Sequence, residues 1–143
     1  MKRIFLAVVL ISIVSLCACS ASKEDSDENN ITKLKEVDSF EIQFSTAQQL
    51  SSEDRGVLQL NFTVKNKSAD IRMFDSFVFV AENKEGKKLE IAPNENFGSD
   101  LKPGETKEGS IYYYLEGSAP IKVTYEDLDN DETETWEIKE IEK

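Results

Sequence analysis

From residue 39 onward the chain alternates apolar and polar residues with a period of two. Phe40, Ile42 and Phe44 are separated by Glu41 and Gln43; Leu58, Leu60, Phe62 and Val64 by Gln59, Asn61 and Thr63; Ile121, Val123 and Tyr125 by Lys122 and Thr124. Successive side chains of a strand point to opposite faces, so each run predicts a strand with one buried and one wet face. Residues 76–81 (SFVFVA) are apolar at both parities, which predicts a central strand covered on both sides. Residues 88–92 predict a weak short strand, and residues 110–115 and 135–141 complete a set of about seven. In the 110–115 run the alternation sends Ile111, Tyr113 and Leu115 to the core and leaves Ser110, Tyr112 and Tyr114 on the wet face. The wet face of the 58–65 run offers Gln59, Asn61 and Thr63.

Turn chemistry falls between these runs. Residues 66–70 end the second one, Gly86 supplies a positive φ for a hairpin, and Pro103-Gly104 fits the two central positions of a type II turn. Residues 127–132 join the last two strands. No stretch keeps a helical period and no repeat is visible, so short, regularly spaced strands predict an antiparallel β-sandwich.

The first 30 residues follow other rules. Lys2 and Arg3 precede an apolar run over residues 4–16, thirteen residues broken by two serines. A membrane-spanning helix needs roughly 20 residues, whereas this length behind a basic start suits a signal segment. Leu16-Cys17-Ala18-Cys19 then reads as a lipoprotein cleavage site, with Leu16, Cys17 and Ala18 recognised by the signal peptidase. Residues 1–18 are expected to be removed and Cys19 to be lipidated, with palmitate as one acyl chain. The alternatives are an ordinary signal peptide cut near Ala18 or Ala21, and an uncleaved anchor helix. Residues 20–30 (SASKEDSDENN) contain no large apolar side chain and predict a disordered acidic tether, reaching at most about 35–40 Å from Cys19. Residues 31–37 are open between more tether and an opening strand; the domain boundary is drawn at 38, giving a sandwich over 38–143. The expected location is the outer face of the cell membrane, held by lipid.

Composition narrows the function. Removing Lys2 and Arg3 from the 17 basic residues leaves 15 against 28 acidic ones, a net charge of −13 on the remaining 125 residues. Such a charge repels nucleic acid and other polyanions. The chain has no histidine, and its two cysteines are Cys17 and Cys19. The remaining domain therefore has no thiol for a disulfide or a nucleophile, and lacks the commonest general base and metal ligand. No enzyme activity and no cofactor are expected.

Several of these residues together carry a resemblance. The order Leu60-Asn61-Phe62-Thr63-Val64-Lys65-Asn66-Lys67-Ser68, Lys84-Glu85-Gly86-Lys87, Leu101-Lys102-Pro103-Gly104-Glu105, Gly109 before Ile111 and Tyr113, and Trp136-Glu137-Ile138 resembles the uncharacterised immunoglobulin-like domain of small lipoproteins from Gram-positive bacteria. That group is similar in fold to secreted immunoprotective antigens. The resemblance spans roughly residues 38–141 and implies an immunoglobulin-like sandwich at the cell surface. It brings no catalytic residues, and its motifs are turn and core signals.

Candidate chemistry is sparse. Asp127, Asp129 and Asp131 have the spacing that opens a calcium loop, but Glu132 stands where the loop needs glycine and Ile138 where it needs a bidentate glutamate. An acidic hairpin loop is the expected reading, with no calcium affinity tighter than about 10⁻⁴ M. Ser20-Ala21-Ser22-Lys23 matches the S-x-x-K pattern of penicillin-interacting enzymes but lies in the tether, without a helix or partner motifs. Paired carboxylates for glycoside hydrolysis would need a cleft that a small sandwich rarely provides. The N-x-S/T sequons at Asn30, Asn61 and Asn66 read as chance. Trp136 is expected in the core, and Met73, Phe74, Phe77 and Phe79 in the core or covering a sheet, with a hydrophobic partner groove as the other reading. In the immunoglobulin topology that the resemblance implies, the 110–115 strand lies beside the 58–65 run, and Tyr112, Tyr114, Asn61 and Thr63 are the candidate protein-contact residues, because tyrosine is enriched where proteins dock. The expected function is non-enzymatic binding of a surface or secreted protein. The alternatives are an accessory ion- or small-ligand-binding lipoprotein serving a transporter, and an envelope-protective exclusion or immunity lipoprotein.

Overall fold

The computed structural model describes residues 32–50, 55–127 and 131–143. Leu16, Cys17, Ala18, Cys19, the tether and Asp129 lie outside the described residues. Nine strands are found among the described ones: β1 Lys35–Val37, β2 Phe40–Leu50, β3 Val57–Asn66, β4 Arg72–Asp75, β5 Phe79–Glu82, β6 Gly98–Leu101, β7 Thr106–Tyr114, β8 Ile121–Glu126 and β9 Thr133–Ile138. They form an immunoglobulin-like sandwich, with a sheet ordered β1-β2-β3-β7, a sheet ordered β5-β8-β9, and a two-stranded piece β4-β6. Every strand pairing is antiparallel.

The alternating runs became the long strands. Phe40, Ile42 and Phe44 of β2, Leu58, Leu60, Phe62 and Val64 of β3, and Ile111 and Tyr113 of β7 all face the core. Across from them stand Phe79, Val123, Tyr125 and Trp136. Phe44 is a focus of this interior, with ring centroids 5.1 Å from Phe79, 5.2 Å from Trp136 and 5.8 Å from Phe62. Edge-to-face arrangements of this kind match the negative face of one ring to the positive rim of another.

Residues 31–37, open between tether and strand, are strand over Lys35–Val37, which pairs with Phe40–Ile42 through a two-residue turn. Both turn residues have positive φ, 47° at Asp38 and 62° at Ser39. That is the geometry a tight hairpin demands, and asparagine-glycine would adopt it with less strain. Here Arg72 holds the Asp38 carboxylate at 2.6 Å, and the Glu132 carboxylate accepts from the Asp38 backbone N–H.

Three expectations are corrected. Residues 76–81 are not one central strand: Ser76–Val78 is a 3₁₀ turn, and only Phe79–Glu82 is strand. The Asp75 side chain accepts from the Phe77 N–H and caps the turn, which lets the chain leave its pairing with β6 and take up pairing with β8. Residues 88–92 form only isolated bridges, because Leu89 N–H bonds Ala81 of β5 while Ala92 N–H bonds Tyr112 of β7. A segment that changes partner within five residues cannot build a ladder. The last strand stops at Ile138, after which Glu142 bonds Ala47 and Gln49 at the edge of β2. The remaining turns match expectation in their glycines, with φ of 77° at Gly86 and 74° at Gly104.

Two buried phenols carry a pH signature. Tyr113 donates to the Phe79 carbonyl at 2.8 Å, and burial raises its pKa. Tyr125 is raised by burial first, and then by the Asp38 and Asp127 carboxylates. A raised pKa means that the phenolate forms more readily in the unfolded chain, so these groups favour folding below the ordinary value of about 10 and lose that contribution as pH climbs past it. An alkaline titration followed at 295 nm is therefore expected to show two of the four tyrosines ionising only as the fold is lost. Phenolate formation by Tyr113 and Tyr125 before any change in circular dichroism would contradict their placement.

Candidate functional site

The outer face of β2, β3 and β7 carries all four candidate contact residues but does not gather them at one point. Register pairs Val57 with Tyr114, Gln59 with Tyr112, Asn61 with Ser110 and Thr63 with Glu108, so only Tyr112 stands next to Asn61, while Thr63 lies farther along the face and Tyr114 towards its other end. Ile111 and Tyr113 point inward, as alternation requires, and Leu115 packs against the core from partial burial. A register shift between Phe44 and Thr46 places Ser45 in a bulge and turns Thr46 towards Asn61. Across the three strands runs a ladder of uncharged groups. Asn61 Nδ2 donates to Thr46 Oγ1 at 2.8 Å, and Asn61 Oδ1 accepts from Ser110 Oγ at 2.6 Å and from Gln59 Nε2 at 2.9 Å.

An open cleft of about 410 Å³ lies over this ladder, lined by Ser45, Thr46, Asn61, Thr63, Glu108 and Ser110 together with Phe62 and Gly109. Gly109 is required by the other side of the sheet: a Cβ there would stand 2.4 Å from Cγ of Phe97. On the outward face Gln43, Ser45, Thr46, Gln59, Asn61, Thr63 and Ser110 are uncharged, and the charges lie towards one end, where Glu108 stands opposite Thr63 and Glu41 opposite Lys65. On so acidic a domain this leaves a short uncharged strip bordered by Glu108.

The tyrosines are less free than their parity suggests. Arg55 lies over the Tyr114 ring at 4.1 Å, and its guanidinium reaches Glu116 at 2.8 Å and Glu90 at 3.3 Å. Lys87 and Arg55 together hold the Glu116 carboxyl below its ordinary pKa, with Lys87 the larger influence. Tyr112 is half-buried, with its backbone N–H donated to Asn96. No signal in the sequence announces the Arg55 cover, because Arg55 precedes β3 and reaches the Tyr114 ring on the neighbouring strand β7.

Of the remaining candidates, Asp127 and Asp131 are described and Asp129 is not. Among the described residues no three His, Cys, Asp or Glu side chains are placed to hold one ion. Trp136 is fully buried, as expected, and its Nε1–H donates to the Lys33 carbonyl at 2.9 Å. Phe74 and Phe79 are core, whereas Met73 and Phe77 are exposed. Among the described residues no helix is long and apolar enough to cross a membrane.

A family model described as a domain of unknown function, DUF5067, matches residues 16–127. The chain belongs to this family. Three solved structures share the DUF5067 chain's fold at low identity. The ycdA protein of Bacillus subtilis, a candidate lipoprotein, superposes with a TM-score of 0.62 at 19% identity, over 74% of this chain and 38% of that one. The yjhA protein of Bacillus subtilis gives 0.58 at 12% identity, over 76% and 98%. The secreted protein MPT63 of Mycobacterium tuberculosis gives 0.57 at 16% identity, over 76% and 94%. The chain thus spans well under half of the ycdA structure and nearly all of the other two. No curated protein matches the chain. The likeness to MPT63 agrees with the sandwich that the resemblance implied, and the family assignment agrees with a domain shared among uncharacterised proteins.

Proposed function

We propose that this DUF5067 chain is a lipid-anchored, extracellular, non-enzymatic binding domain of a Gram-positive cell, and that it docks a surface or secreted protein on the outer face of β2, β3 and β7. The observation that carries the reading is the uncharged hydroxyl and amide ladder of Thr46, Asn61 and Ser110, set in a domain otherwise dense in carboxylates. Neutral patches need little desolvation of charge on docking, and the acidic surroundings exclude polyanionic competitors. Support for the location comes from the Leu16-Cys17-Ala18-Cys19 segment, from a candidate lipoprotein among the structural neighbours, and from a secreted protein among them.

The accessory-ligand reading has one observation in its favour, the cleft at the β2 bulge, whose volume falls within the roughly 300–1,000 Å³ of small-molecule sites. Its lining is hydroxyl and amide rather than apolar, and the Asn61 amide is already engaged on both ends within the sheet. Few groups are left to point at a small ligand, so the protein reading stands first.

The test uses the full chain on living cells with a photo-crosslinking residue in place of Thr63, and a control in place of the exposed Lys84. A protein adduct is expected at Thr63 and none at Lys84, and the same chain carrying Cys19→Ala is expected in the medium. Adducts at both positions or at neither would overturn the docking face. A Cys19→Ala chain that stays in the membrane pellet with residues 1–18 attached would overturn the anchor.

A further inference from the structure

The exposed large apolar side chains are concentrated in one short stretch. Of the five found among the described residues, Ile71, Met73 and Phe77 fall within seven positions, at 64%, 67% and 56% exposure. Scattered apolar residues are ordinary on a surface, whereas a run of them marks an interaction site. Ile71 and Met73 are two apart and share a face, while Phe74 between β4 and the core is buried. β4 pairs with β6 on one side, and among the described residues no backbone hydrogen bond reaches its other edge. An open edge presents unpaired N–H and C=O groups to a further strand, and natural edges guard against this with very short strands, charged side chains, proline or a bulge. β4 is short, but it has no lysine, proline or bulge, and the Arg72 guanidinium is drawn away to Asp38 at 2.6 Å and over the Phe40 ring at 5.1 Å.

Charge says what would fit this edge. Asp100 stands directly across from Met73, and Asp70 and Asp75 flank the apolar positions. None of these three carboxylates is ion-paired among the described residues. We infer that β4 is a strand-addition site for an extended segment of a basic protein, its apolar side chains meeting Ile71, Met73 and Phe77 and its lysines or arginines meeting Asp70, Asp75 and Asp100. In this mode the main chain supplies the attachment and the flanking side chains supply the selectivity. The site is separate from the uncharged face and stands or falls independently of it.

The test places the full chain in phosphatidylcholine nanodiscs and titrates a fluorescent blocked peptide, Lys-Thr-Val-Thr-Lys-Thr-Val-Thr, whose lysines and valines share one face when it is extended. Saturable binding is expected, weakened at least about ten-fold when glutamate replaces lysine in the peptide. Two N-methylated versions separate backbone pairing from stickiness: one is methylated at the threonines and the other at the lysines and valines. A strand bonded along a single edge loses binding with one version and keeps it with the other. Met73→Lys in the protein is expected to weaken binding at least about ten-fold, and Met73→Leu to keep it, with Trp136 fluorescence reporting an intact fold in both. Equal binding of the glutamate peptide, identical behaviour of the two methylated versions, wild-type binding by Met73→Lys, or no binding at millimolar peptide would each overturn the inference. Self-association of the wild type that Met73→Lys abolishes would assign the edge to a second copy of the chain and overturn it as well.

Discussion

Trp136→Ala is expected to destabilise the domain by about 3–5 kcal/mol, the range for removing a buried large aromatic. The indole is fully buried and meets Phe44 edge-on at 5.2 Å and Phe79 at 6.2 Å, so truncation opens a cavity between the two sheets. It also removes the donor to the Lys33 carbonyl and the ring beneath Lys35 Nζ, which lies 5.5 Å from its centroid. A domain of this size has about 5–15 kcal/mol of total stability, so the variant should sit close to its unfolding midpoint in mild denaturant. Trp136→Phe keeps a ring against Phe44 and Phe79 and loses the N–H, and it should recover most of the loss. Trp136 is the only tryptophan, so unfolding of both variants must be followed by circular dichroism in urea. A loss below about 1 kcal/mol for Trp136→Ala would mean that the two sheets do not close on this residue.

Asn66 is the second position where a single substitution should tell. It is fully buried at the end of β3. Its Nδ2 donates to the Asp70 carbonyl at 2.7 Å and to the Leu101 carbonyl at 3.0 Å, and its Oδ1 accepts from the Ser68 N–H and Oγ. One amide thereby ties the end of β3 to the start of the β4–β6 piece. Asn66→Ala is expected to cost on the order of 1–3 kcal/mol, since it strips partners from buried groups without replacing them. Asn66→Asp should cost more at pH 7, because a carboxylate there is buried against two carbonyl oxygens and cannot donate. The sign of its pH dependence follows. Burial and the carbonyls raise the folded pKa of the new aspartate above the unfolded value of about 3.9, so the penalty is small below that pH and grows as pH rises through the folded pKa. Urea midpoints at pH 3.5 and pH 7, each compared with wild type, check this; equal penalties at both would show that the Asn66 site is open to water.

How much of this was readable beforehand depended on how strictly each segment keeps its period. Phe40 to Phe44, Leu58 to Val64 and Ile121 to Tyr125 alternate without exception, and all three lie in strands facing the way alternation dictates. Residues 76–81 misled because an apolar run can belong to a strand or to a turn that changes sheets, and only the Asp75 cap separates the two. β4 and β6 are four residues each, too short to show a period, and went unread. The outward placement of Tyr112 and Tyr114 was legible from parity alone, whereas the neutral ladder was only half legible. Asn61 and Ser110 fall opposite each other by register, but Thr46 joins them through the bulge at Ser45, which no composition signal marks. Asn66 shows how a local motif can mislead in the other direction: it lies in a sequon by spacing and serves as a structural cross-link by its four hydrogen bonds.

The way the chain enters the sandwich has a mechanical consequence. Before β1 begins, the Thr32 carbonyl is held by Gln43 Nε2 at 2.7 Å and the Lys33 carbonyl by the Trp136 indole; Lys35 then reaches Glu134 at 2.9 Å. Tension arriving along the N-terminal segment is therefore divided between β2, in one sheet, and β9, in the other, before it reaches the three-residue β1. A pull shared in this way draws the two layers together at the tryptophan rather than unzipping the edge of one of them. A domain tugged from its N-terminus by moving surroundings would bear load at the buried Trp136 rather than at β1 alone.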